Sequence, residues 1–446
     1  MRRVTGYDVS ALRARFPALD RGYAHFDGPG GSQVPVEVAQ AVAATLTAPI
    51  ANRGRVTPAE RFSDDVVLAA RQAMADLLGA DPRGVVFGRS MTSLTVDLAH
   101  TLAASWGPGD EVVVTRLDHD ANVRPWVLAA QRAGATVRWV DFDPATTELT
   151  ADDVAEVLSE RTRLVAVTGA SNLVGTRPPI AEIVARVHAA GGERSDGARV
   201  GGERSDGGRV GGERSDGGRV GGERSDGGRA RALCVVDGVH LSAHAAVDVA
   251  ALGADVYLCS PYKFLGPHCG VLTADPAFLE TLHPDKLLPS SDAVPERFEL
   301  GTLPYELLAG TTAAVDVLAS LGPAQGPRRD RVVAGMAAVE AHEDRLRTRI
   351  ETGLAWIPGV SVLSRAAHRT PTLLVRVPGG DRRAHEGLAE RGVFAPAGSF
   401  YALEASRRLG LGDDGALRIG LAPYTDDEDV DRLLDGLAAI VLGPGA

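Results

Sequence analysis

Lysine is almost missing from this chain. Of 47 basic residues, only Lys263 and Lys286 are not arginine. Arginine serves wherever a fixed positive charge is wanted, but only lysine offers a free primary amine once deprotonated. A lysine kept in so arginine-rich a chain is a candidate for amine chemistry, and its surroundings decide the matter. Cysteine is scarce too. Cys234, Cys259 and Cys269 cannot make a disulfide framework in 446 residues, and their spacing forms neither a CxxC pair nor a zinc ribbon. A reducing, cytoplasmic location is expected. No apolar run reaches the roughly 18 residues a membrane-spanning helix needs. The first residues carry two arginines but no apolar signal core. A membrane partner is therefore not expected. The net charge of −11 argues against nucleic acid, whose phosphates call for basic excess.

What is present begins with a repeat. Four decapeptides of the form GGERSDG(A/G)R(V/A) run head to tail over 191–230. Each is charge-neutral and offers almost nothing to bury, so a flexible, disordered insertion is expected. Outside it the chain has an α/β rhythm. Short apolar runs at 85–87, 111–114, 136–140, 164–168, 233–236 and 256–259 predict buried strands. Amphipathic stretches at 93–104, 126–132, 151–159 and 180–189 predict helices between them. That alternation implies a mostly parallel sheet with helices on both faces. A breaker cluster, GPAQGP at 322–327, suggests a boundary. A long helix over 330–352, strands at 361–363, 373–377 and 417–420, and helices near 383–391 and 426–441 then predict a smaller α+β domain. The expected organisation is an N-terminal segment, 1–25, near the small domain, a large domain over 26–321, and a small domain over 322–446.

Several residue groups sit where chemistry is expected. Lys263, in CSPYKFLGP, follows a buried strand at its C-terminal end, the ligand-binding edge of open α/β sheets. There it could form a Schiff base, or be an ordinary surface lysine. Asp237, in VVDGVH, also ends an apolar strand, where a carboxylate is costly unless paired. It could face a cationic ring nitrogen or cap a helix. The turn GRSMTS at 88–93 opens a helix and could hold an anion or only a cap. His119, in LDHDAN, could stack on a flat cofactor. Asp237, His240 and His244 form a rival metal-binding set, but no recognisable ligand pattern is completed and no metal is expected. Asn172, in SNLVGT, could donate to a phenolate or simply shape a turn.

In their order these segments resemble the class V aminotransferase superfamily of fold-type I pyridoxal-phosphate enzymes, and most closely its cysteine-desulfurase-like branch. SPYKFLGP resembles the Schiff-base lysine segment, VVDGVH the aspartate segment, LDHDAN the histidine segment and SNLVGT the asparagine segment. RFELGT at 297–302 resembles the stretch that reaches a neighbouring subunit's phosphate, and LRIGL at 417–421 the strand of the substrate-carboxylate arginine. The resemblance implies pyridoxal 5'-phosphate held by Lys263, with Lys263 and His119 the catalytic pair. Asp237 would pair with the pyridinium and His119 stack over the ring. Asn172 and His240 would contact its phenolate oxygen. Met91 (through its backbone), Thr92, Ser260 and Tyr262 would bind phosphate, joined by Thr302 from a partner chain. Arg418 would clamp the carboxylate of a small amino-acid substrate. A homodimer is implied.

One departure matters. Cysteine desulfurases carry a nucleophilic cysteine on a loop before the arginine strand. Here that loop reads GVFAPAGSFY at 392–401, with Tyr401 in the cysteine's place. A phenol cannot accept sulfur, because persulfide formation needs a thiolate. The expectation is an enzyme that eliminates a β-substituent from a cysteine-like amino acid. An aminotransferase, an epimerase or a non-catalytic protein on the same fold are the alternatives.

Overall fold

The computed structural model describes residues 7–190 and 231–443. The decapeptide repeat, and the expectation of disorder placed on it, lie outside the described residues.

Strands are numbered in chain order. β1 (Ala24–His25) is followed by the strands of the main sheet: β2 (Val85–Gly88), β3 (Glu111–Thr115), β4 (Thr136–Val140), β5 (Thr162–Thr168), β6 (Leu233–Asp237), β7 (Val256–Cys259) and β8 (Gly270–Ala274). Their order is β2-β8-β7-β6-β5-β3-β4. All pairings are parallel except those of β8, which runs antiparallel to both neighbours. Every strand expected from the sequence is present. β8 was not foreseen, although GVLTA is an apolar run between breakers; it returns the chain right after the Lys263 turn.

The strands are buried on both faces, and alternation decides which residue meets which layer. Val113, Cys234 and Val236 join one apolar cluster, while Val112, Val114 and Val235 join the other. Helices cover both faces, the α/β arrangement expected from the alternation of the sequence. The stretch expected to be helical over 151–159 is so only over Ala151–Ala155. Beyond it Ser159 turns the chain into β5, its N–H bonded to the Thr162 hydroxyl.

A second, antiparallel sheet follows: β9 (Ser361–Val362), β10 (Thr372–Arg376), β12 (Ala397–Gly398) and β13 (Ala416–Gly420), in the order β12-β13-β10-β9. β11 (Val393–Phe394) instead pairs with β1. A third apolar cluster, with Phe26, Leu373, Leu417 and Leu433, lies against this sheet. The helix Arg328–Leu354 joins the layers, giving Val332 and Met336 to the first cluster and Leu346 and Ile350 to the third.

Candidate active site

Parallel strands that end at one edge deliver their following loops to one place. Here β3 leads to His119, β5 to Asn172, β6 to Asp237 and β7 to Ser260, Tyr262 and Lys263. β2 leads to the helix Met91–Ala103, capped by Ser90 and Ser93. These loops surround a cavity of about 770 Å³, and β13 contributes Arg418 from the second sheet. Every expected site residue lines it except Thr302, which is exposed ahead of the helix Tyr305–Ala319.

Lys263 ends a short 3-10 turn, Pro261–Lys263, and its Nζ donates to the Pro29 carbonyl. Burial pulls its pKa down to about 8, with Arg418 adding to the effect and Asp27 and Asp237 opposing it. The amine is thus partly neutral, and nucleophilic, near neutral pH. Asp237 is 5% exposed. Burial raises its carboxyl to about 6 against the help of the Val239 N–H at 3.0 Å and the Lys263 charge. His119 accepts from the Ala121 N–H through Nδ1 at 3.0 Å. Burial, then the Lys263 charge, hold its imidazole down at about 4, so the ring is neutral at physiological pH.

Arg418 is 2% exposed. Its guanidinium donates to Asp27 Oδ1 at 2.6 Å and to the Asn172 carbonyl at 3.1 Å, and lies 3.7 Å from the Phe400 ring centroid. His240 holds Thr370 and Thr372 through Nε2 at 2.9 and 3.0 Å. His244 turns instead to Glu343, at 2.9 Å. Among the described residues no group of three or more His, Cys, Asp or Glu side chains is placed to hold a metal ion.

The loop with Tyr401 closes one side. Phe400 and Tyr401 both adopt left-handed backbone, at φ 52° and 58°. The Asn172 amide donates to the Phe400 carbonyl at 2.9 Å, and the Asp120 N–H to the Tyr401 carbonyl at 2.7 Å. The Tyr401 ring stands 5.5 Å from that of His119. All three cysteines are free and buried, and none lines the cavity. Sequence reasoning missed Asp27 and Phe400. The first stands just before a GPGG turn at 28–31, and the second lies in the GVFAPAGSFY loop, but nothing in the sequence joins either to Arg418.

The site suits a flat, anionic, amine-reactive group. His240 Nδ1 and Asn172 Oδ1 are buried without hydrogen-bond partners. A Cβ on Gly270 would come within 2.2 Å of the Ser90 carbonyl carbon, so the sheet abuts the N-terminus of the Met91–Ala103 helix, a place that favours an anion. The Lys263 amine stands in the same cavity.

Comparison with known proteins agrees. The family model for aminotransferase class-V matches residues 24–192 and 228–433. An uncharacterized protein of Mycobacterium tuberculosis is 31% identical, over 97% of this chain and 99% of its own length. A protein of Pseudomonas aeruginosa named as a probable cysteine desulfurase is 29% identical, over 95% and 96%. The fold is similar to that of the cysteine desulfurase CsdA from Escherichia coli, with a TM-score of 0.78 at 24% identity, covering 98% of this chain and 99% of that one. The chain belongs to the class-V aminotransferase family. It is a pyridoxal-phosphate-dependent enzyme of the cysteine-desulfurase-like kind.

Proposed function

We propose that this enzyme eliminates the β-substituent of a cysteine-like amino acid, giving pyruvate or a related keto acid, ammonia and sulfide or a thiol. One observation carries the reading. The cavity holds an amine, a buried carboxylate and a guanidinium, while its loop offers Tyr401 where sulfur transfer would need a thiol.

When bound, pyridoxal phosphate supplies an aldehyde for amine condensation and an electron-withdrawing ring beside the substrate α-carbon. Lys263 would hold it, and its Nζ would take the α-proton and deliver it to the departing sulfur. A pKa of about 8 suits both directions near neutral pH. Asp237, costly as a lone buried anion, would be matched by a protonated ring nitrogen. His119, neutral because its pKa is about 4, could lie flat on the ring without a charge to desolvate. Asn172 and His240 would contact the phenolic oxygen. The Met91 backbone with Thr92, Ser260 and Tyr262 would bind phosphate. Arg418 would clamp the substrate carboxylate, which must share the guanidinium with Asp27. Exposed Thr302 would reach the phosphate of a second copy in a homodimer. The free, buried cysteines suit the cytoplasm.

The test is a panel of amino acids with sulfide, alanine, pyruvate and ammonia measured separately. Cysteine should give pyruvate, ammonia and sulfide in equal amounts. Alanine with sulfide would overturn the elimination.

A further inference from the structure

The cavity has an apolar wall that neither the cofactor nor an α-carboxylate would use. The helix Arg124–Ala133 turns Trp126, Val127 and Ala130 into the second apolar cluster. Pro125 and Leu128, three residues apart on another face, line the cavity instead. Leu128 is 41% exposed. An exposed leucine on an open surface means little, but this one faces a cavity. The exposed ring of Tyr401 lines the same cavity. The Asp120 N–H, bonded to the Tyr401 carbonyl at 2.7 Å, ties that residue to the turn from which the helix starts. The two charged side chains of this wall, Asp120 and Arg124, pair with each other at 3.1 Å, so it presents no lone charge.

The wall stands beside the path of a substrate's β-substituent. Arg418 would hold the α-carboxylate, and the Phe400 ring covers its guanidinium, 3.7 Å from the ring centroid. Tyr401 is the next residue, so the carbon chain of a substrate held there lies within reach of its ring. A bare thiol is too small to cover both Tyr401 and Leu128 and would leave water against them. An apolar group on the sulfur would displace that water, which is favourable.

We propose that the substrate is a cysteine whose sulfur carries a bulky apolar group, seated between Tyr401 and the Pro125–Leu128 face, so that a thiol rather than sulfide leaves. This deepens the elimination reading and rests on it. The Cβ–S bond breaks and its electron pair leaves with the sulfur. The Cα–H pair becomes the Cα–Cβ π bond, and Lys263 Nζ carries the α-proton to the thiolate. Water hydrolyses the released enamine to pyruvate and ammonia. Tyr401 and Leu128 select the leaving group and take no part in proton transfer.

The experiment compares S-benzyl-L-cysteine, S-carboxymethyl-L-cysteine and L-cysteine as substrates of the holoenzyme, with pyruvate and ammonia measured. S-benzyl-cysteine should exceed cysteine in kcat/KM by at least about tenfold. Leu128→Asp should lower that ratio about tenfold, through the KM for the S-benzyl substrate. Tyr401→Phe should preserve the ratio, since the ring and not the hydroxyl makes the contact, and Tyr401→Ser should lower it. Should Leu128→Asp fail to fold, as thermal melts would show, the two Tyr401 variants decide alone. Cysteine turned over as well as S-benzyl-cysteine, or better, overturns the inference and leaves the elimination standing. A preference for the carboxymethyl substrate does the same and assigns the wall to Arg124. A ratio that stays in place in both Leu128→Asp and Tyr401→Ser overturns the inference too. No pyruvate from any of the three, in protein that has taken up pyridoxal phosphate, overturns the elimination itself and the inference with it.

Discussion

The floor and the lip of the cavity are built by opposite means. The floor is made of side chains at the ends of buried parallel strands. Asp237 and Lys263 stand there with unstrained backbones and strained charges, their pKa values moved to about 6 and about 8 by burial. The lip is made of Phe400 and Tyr401. Their charges are absent but their backbones are strained, both at positive φ, and Tyr401 is 75% exposed. Electrostatic cost is stored where the scaffold is stiff enough to bear it. Conformational cost is stored where the chain is open to solvent. Substitutions in the floor should therefore change chemistry with little loss of folding, and those in the lip the reverse.

The largest effect is expected at Lys263. In Lys263→Ala, borohydride treatment followed by peptide mapping should leave no cofactor label on the 261–267 segment, while the fold remains. Label at another residue would remove the floor's chemical role. Asp237→Asn should lower turnover by at least about 100-fold. It should also flatten a pH dependence of stability. A carboxyl whose folded pKa is raised binds its proton more tightly when folded, so the cofactor-free protein gains stability as pH falls from about 6 toward 3.8. Denaturation at both ends of that window should show the gain in wild type and its loss in Asp237→Asn. A smaller effect is expected from Asp27, whose charge raises the Lys263 pKa. The neutral amine is the nucleophile, so cofactor uptake by the apoprotein should rise with pH through a midpoint near 8. Asp27→Asn should move that midpoint down and speed uptake at neutral pH roughly twofold to threefold. Slower uptake would show that Asp27 acts by holding Arg418 instead.

This contrast also explains what the sequence made legible. Strand ends are periodic and apolar, so the positions of His119, Asn172, Asp237 and Lys263 at one sheet edge followed from local pattern. Arg418 was reached only through resemblance, because a strand bearing a buried arginine carries no local signal of what it faces. The Asp27–Arg418 pair joins residues 391 positions apart, and the Phe400 stack sets a turn residue against a strand that comes later in the chain; neither contact leaves a local signal. β8 breaks the strand–helix alternation: it follows the Lys263 turn with no crossover helix between, so it can only pair antiparallel.

The smallest effects, and the sharpest test of the comparison, lie at Tyr401. Left-handed backbone costs a side-chain-bearing residue roughly 1–2 kcal/mol, and glycine essentially none. Tyr401→Gly relieves that cost but loses the contact with His119 and stiffens nothing in the unfolded chain, so stability should stay within about 1 kcal/mol of wild type. A β-branched residue fits left-handed backbone least well. Tyr401→Val should lower stability by about 1–2 kcal/mol, or let the turn relax and release the carbonyls now bound by Asn172 and the Asp120 N–H. Chemical denaturation measures the first outcome, and faster amide exchange at Asp120 the second. If valine and glycine prove equal on both measures, the lip stores no backbone strain, and the division of costs between floor and lip fails.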